Sequence, residues 1–167
     1  IGDQPKTHIT NDDRERRARS IERLEDAKKS LERAIAAFNL GSDSRSGSPR
    51  ISIVERQDGL LISLIEKAGS PMFTTGSAQV SGGLAQAIGA VARILGDIDN
   101  PIVVSGYTDS TPFRGDELGN WRLSALRALA AMENLISHGI PLRRIEKIEG
   151  HADRLSTDKK APIDATN

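Results

Sequence analysis

The residues best equipped to do chemistry in this chain are an acid and a base on neighbouring segments. Asp109 follows the β-branched run Ile102-Val103-Val104 across a polar turn, Ser105-Gly106-Tyr107-Thr108. Arg127 lies in an apolar-rich stretch that opens at Asn120-Trp121 and runs on to Leu135 and Ile136. An ionised Asp only accepts hydrogen bonds, whereas a guanidinium presents a planar fork of donors fitted to a carboxylate. If the second segment is a helix, Asn120, Ser124 and Arg127 fall four and then three residues apart and share one face. Its first turn adds unpaired N–H groups that favour an anion. Such a polar stripe beside a strand-end carboxylate could hold a ligand bearing both an amine and a carboxylate. Asp109 and Arg127 could equally form an internal ion pair, and their types alone leave both readings open.

Other chemistry finds little support. There is no GxSxG elbow, no P-loop lysine and no HExxH pair. Gly82, Gly83 and Gly89 do not follow a strand at dinucleotide-binding spacing. His8, His138 and His151 are scattered, and only His151-Ala152-Asp153 could offer paired metal ligands. A solvent-facing histidine beside a turn is the default there. The expectation is a binding module with no catalytic residue, no metal and no cofactor. Lys and Arg number 23 against 23 Asp and Glu, and aromatic residues make up 3%, which removes both the charge and the stacking surface for nucleic acid. With no cysteine, neither a disulfide framework nor a thiolate site is available.

The segments that must position Asp109 and Arg127 follow from periodicity. Residues 1–10 are polar and expected to be loose. Over 11–39, Ile21, Leu24, Leu31, Ile35 and Phe38 trace a narrow a/d seam, with Lys28 in the missing a position. This predicts an amphipathic helix, stopped by Gly41, that serves as a spacer or a dimer coiled coil; a helix packed on its own domain is the alternative. Residues 41–49, rich in Gly and Ser, read as a flexible linker and a domain boundary. Residues 1–40, 41–49 and 50–167 are thus the expected units. Ile51-Ser52-Ile53-Val54 and Leu60 to Ile65 flank Asp58-Gly59 as a hairpin. Leu84, Ala87, Ile88, Val91, Ala92 and Leu95 recur at three and four, which marks a helix from Ser81. Strand Ile102 to Val104, a helix from Asn120, and strand Ile145 to Ile148 complete the order. Hairpin, helix, strand, helix, strand implies an α/β (α+β) two-layer sandwich.

The run Asn120-x-x-Leu123-Ser124-x-x-Arg127-Ala128, with Gly106-Tyr107-Thr108-Asp109 before it, resembles the signature of OmpA-like peptidoglycan-binding domains. The longer intervening loop with Pro112-Phe113, and the Asn120-Trp121 entry, resemble the MotB branch, whose members anchor flagellar stators to the wall. The likeness covers roughly 51–167. It implies an OmpA-like β-α-β-α-β domain that binds peptidoglycan without catalysis, recognising the stem-peptide diaminopimelate and adjacent glycan. In it, Asp109 would receive the side-chain ammonium of diaminopimelate and Arg127 its carboxylate. Thr108, Asn120, Leu123 and Ser124 would surround them, Asn120 and Ser124 partly as helix caps. The resemblance further implies a homodimer, a MotA-like partner reached through a membrane segment, and a periplasmic location below an inner-membrane anchor. A wall-binding domain of an OmpA- or Pal-like outer-membrane protein is the alternative. Because the chain opens at Ile1 and closes at Asn167, it is expected to be a fragment that stops where an Asn-Arg-Arg motif and a final strand would begin.

Overall fold

The computed structural model describes residues 10–43, 47–108 and 117–154. Helix α1 (Asn11–Asp43) leads into the antiparallel hairpin β1 (Arg50–Arg56) and β2 (Gly59–Ile65). Helix α2 (Gly82–Leu95), strand β3 (Ile102–Gly106), helix α3 (Glu117–Ser137) and strand β4 (Ile145–Gly150) follow. β3 and β4 pair in parallel, with α3 as their crossover. The expected mixed α/β order is therefore present, in two two-stranded sheets among the described residues.

The core forms where the apolar face of α2 meets everything else. Leu84, Ile88 and Ala92 pack with Val104, Ala128, Leu135 and Ile140 in one cluster. Ala87 and Val91, on the neighbouring side of the same helix, pack with Leu31, Ile35 and Ile51 in a second. Ser81 caps α2, its hydroxyl accepting from the Leu84 N–H at 3.2 Å. Gly83 is demanded by packing rather than by conformation, since a Cβ there would lie 1.8 Å from the Gly47 carbonyl oxygen.

Helix α1 departs from expectation in two ways. It does not stop at Gly41 but continues to Asp43. A mid-helix glycine costs only about 1 kcal/mol, and tertiary contacts override it. The Asn39 side chain donates to the Ile51 carbonyl at 2.9 Å and accepts from the Ile51 N–H at 3.1 Å, so it mimics a neighbouring strand. The seam also divides. Leu31 and Ile35 are buried in the helix's own domain, with Phe38 packed against the same cluster, while Ile21 stays 59% exposed. An ion pair from Lys28 to Glu55 of β1 adds to the docking. The stretch read as a flexible linker is likewise structured where it is described, helical through Asp43 and buried at Ser48 and Pro49. At the other end Thr10 forms a capping box with Asp13, whose N–H donates to Oγ1 at 3.2 Å while its carboxylate accepts from the Thr10 N–H at 3.1 Å.

Candidate functional site

The candidate site is built where β3 and β4 end. Gly106 and Gly150 are the final register partners of the two parallel strands, and both lie under α3. A Cβ on Gly106 would come 2.1 Å from the Ser124 carbonyl oxygen, and one on Gly150 would come 2.7 Å from the Ala125 nitrogen. Only glycine at both places lets the helix descend this far.

Ser124 then ties the layers together. It is fully buried, and its hydroxyl donates to the Trp121 carbonyl at 3.0 Å while accepting from the Ala152 N–H at 3.0 Å. The two chain segments stay paired beyond the strands. The His151 N–H donates to the Gly106 carbonyl at 3.0 Å, and the Thr108 N–H to the Ala152 carbonyl at 2.8 Å. Ala152 is the one described non-glycine residue with positive φ, at 51°. That left-handed backbone costs about 1–2 kcal/mol, and the two hydrogen bonds of Ala152 offset it. The result is a closed corner holding Thr108, which is 8% exposed and whose hydroxyl has no partner among the described residues. Buried hydroxyls normally pair, and an orphan costs about 1–3 kcal/mol.

Arg127 is half-buried beside this corner. Its Nε donates to the Ser77 carbonyl at 3.2 Å, and its guanidinium carbon stands 4.8 Å from the Phe73 ring centroid. The next residue, Ala128, presses its nitrogen to 3.0 Å from where a Gly106 Cβ would be. Thr108 and Ser124 thus meet at one strand end through Ala152, while the Arg127 side chain reaches the Ser77 carbonyl and the Phe73 ring. Asn120 and Leu123 lie half-buried on the same helix, and Asp109 lies outside the described residues. The capping role expected of Asn120 and Ser124 is corrected. The helix starts at Glu117, so both residues sit inside it, and the two hydrogen bonds of Ser124 position the rim instead.

The outer face of the same strand ends carries a polar network. Glu149 bonds Lys147 at 2.7 Å, His151 at 3.1 Å and Ser105 at 3.3 Å. Lys147 first, then His151, hold its carboxyl below the ordinary glutamate range. Tyr107 stacks on His151 with centroids 4.8 Å apart, and burial, then the Glu149 charge, push its phenol up. At the helix side of the rim the Arg154 guanidinium sits 5.2 Å from the Trp121 ring centroid. Sequence reasoning missed the Gly106/Gly150 pair, Ala152 and Arg154. A glycine at the end of each of two successive strands was the available signal for the first. Nothing in the sequence marked the others. Among the described residues, no three His, Asp or Glu gather as a metal site, and no helix is long and apolar enough to cross a membrane.

Helices laid on short strands, with a polar corner at the strand ends, define a two-layer α/β domain. The OmpA family model matches residues 72–167, more than half of the chain. Motility protein B of Escherichia coli K12 is 36% identical over 125 residues, covering 74% of this chain and 41% of that protein. The chain belongs to the OmpA family. Solved structures agree on the fold. The periplasmic domain of Helicobacter pylori MotB (residues 90–256) superposes with a TM-score of 0.52 at 22% identity, over 69% of each chain. The cell wall anchor of the T6SS from Pseudomonas aeruginosa gives 0.58 at 20%, over 76% of this chain and 82% of that one.

Proposed function

We propose that this chain is a non-catalytic peptidoglycan-binding domain of a MotB-like protein, fixing a flagellar stator to the cell wall from the periplasm. The ligand is the stem peptide with its adjacent glycan, gripped at the diaminopimelate residue, with Asp109 taking the ammonium and Arg127 the carboxylate. Thr108 and Asn120 line the grip, while Leu123 and Ser124 shape it. The observation that carries this reading is the Thr108 hydroxyl, held buried and unpaired among the described residues next to a helix that presents Arg127. The resemblance of the surrounding motif to wall-binding domains supports the choice of ligand.

Charge-assisted hydrogen bonds contribute roughly 1.5–3 kcal/mol each, so one stem peptide is held loosely and anchoring comes from many sites at once. The relatives' full length supplies the rest of the proposal, because the chain spans about two fifths of the curated relative. A membrane segment outside this chain would join it to a MotA-like subunit. The exposed upper part of α1, around Ile21, would serve as spacer and homodimer seam.

Co-sedimentation with purified sacculi tests the grip. Asp109→Asn and Arg127→Ala should each abolish pelleting while the protein stays folded. A folded Arg127→Ala protein that still pellets like the parent would sink the proposal. If both variants instead lose their melting transition, the two residues are a structural ion pair.

A further inference from the structure

A short stretch between β2 and α2 closes on itself and meets the Arg127 guanidinium twice. Phe73 and Val80 form an isolated antiparallel bridge, the Thr74 N–H donates to the Gln79 carbonyl at 3.1 Å, and the Ser81 N–H donates to the Met72 carbonyl at 2.9 Å. At its far end the Ser77 N–H donates to the Thr74 carbonyl at 2.9 Å, and Gly76 takes a φ of 65°. The near end is fixed on both sides. Ser81 caps α2, and Phe73 and Val80 pack against the core cluster that contains Leu84 and Ile88. From that frame the Ser77 carbonyl accepts from Arg127 Nε at 3.2 Å, and the Phe73 ring centroid lies 4.8 Å from the guanidinium carbon, with the cation over the ring. One contact fixes where the fork begins, and the other fixes its plane.

We propose that Phe73 is a positioning residue that acts through Arg127 and sets a preference for stem peptides carrying diaminopimelate over those carrying lysine in its place. This role rests on the reading above, in which Arg127 takes the diaminopimelate carboxylate, and it supplies what orients the cation. A long arginine side chain loses rotamer freedom whenever it grips a ligand. Holding it beforehand on a ring face and a carbonyl removes that cost from binding. The fork must also lie in the plane of the carboxylate, because two parallel N–H···O bonds form only edge to edge. Stacking on an aromatic face sets that plane. Lysine lacks the carboxylate that diaminopimelate carries beside its side-chain amine. An oriented Arg127 therefore separates the two ligands, and a loosely held one separates them less.

Calorimetric titration with two stem peptides, one carrying diaminopimelate and one carrying lysine at that position, tests this role. The parent protein should bind the diaminopimelate peptide more tightly, and Arg127→Ala should remove the difference. Phe73→Leu should weaken binding of the diaminopimelate peptide about fivefold, the size of one cation–π contact, and leave the lysine peptide unchanged. Phe73→Tyr, which keeps the ring, should retain the parent's preference. In an Arg127→Ala background Phe73→Leu should cause no further loss, since its effect runs through the cation. Phe73 also touches the core, so a thermal melt of each variant accompanies the titrations. Phe73→Met, close in volume and without a ring, takes the place of Phe73→Leu if that protein does not fold. An equal loss on both peptides, or no loss on either, overturns the positioning role and leaves that of Arg127 standing. A parent protein without preference for diaminopimelate, or an Arg127→Ala protein that retains it, removes the carboxylate role of Arg127 and that of Phe73 with it.

Discussion

The two ends of the β3/β4 sheet are built from the same materials and finished differently. At the end where the strands begin, Arg144 is 7% exposed, and its guanidinium donates to the Asn100 carbonyl at 3.1 and 2.9 Å and to the Leu95 carbonyl. Those acceptors lie at the tail of α2 and just before β3, so one buried cation seals a helix C-terminus and a loop together. Burial lowers its pKa, and Asp99 partly restores it. At the end where the strands finish, the Thr108 hydroxyl has no partner among the described residues, Ala152 keeps a strained φ, and Trp121 stays exposed. An end that satisfies its buried polar groups reads as stability; an end that leaves them poised reads as recognition.

Variants at the sealed end should therefore cost stability, and variants at the open end should cost binding. Arg144→Ala carries the largest expected effect. It strands buried carbonyls on two segments and should lower stability by about 3 kcal/mol, read as a fall in urea midpoint. The fraction that remains folded should bind sacculi as the parent does. A midpoint shift near zero would erase the contrast.

Ser124→Ala should fall between the two classes. It orphans the Ala152 N–H in a fully buried place, a loss of about 1–3 kcal/mol, and it frees the loop that shapes the Thr108 corner. Both the urea midpoint and wall binding should drop. A loss in one alone would show that the corner and the core are uncoupled.

Glu149 gives the smallest and most condition-dependent effect. Its carboxyl is held below the unfolded value of 4.5, so the stability it adds is present above that pH and disappears as pH falls through the lower, folded value. Glu149→Gln should leave the melting temperature almost unchanged at very low pH and reduce it slightly at pH 7. The reverse order would mean that the carboxylate is not stabilised by Lys147 and His151.

Much of this contrast could be anticipated from residue order, and some could not. The hairpin around Asp58-Gly59, the α2 face and the β-branched β3 run carry strong local periods, and each forms where its pattern lies. The motif from Asn120 to Arg127 lies within one helix, where Ser124 bonds Ala152 at the strand end and Arg127 reaches Ser77 and Phe73. The end of α1 misled because glycine propensity is weak against the Asn39 and Leu31 contacts, which involve residues far along the chain. Arg144 was invisible for a similar reason. Within Leu142-Arg143-Arg144 it looks like any solvent-facing base, and only the distant Asn100 carbonyl assigns it a buried role. No local signal requires Ala152 to adopt a left-handed backbone; the Ser124 and Thr108 partners impose it.

The most direct test of the contrast is Thr108→Val, measured once for stability and once for wall binding. The substitution keeps the β-branched shape and removes only the buried hydroxyl. If that hydroxyl is held for a ligand, its removal relieves an unsatisfied group, so the melting temperature should stay level or rise while pelleting with sacculi weakens. A lower melting temperature with undiminished pelleting would contradict this, and would make Thr108 a structural residue.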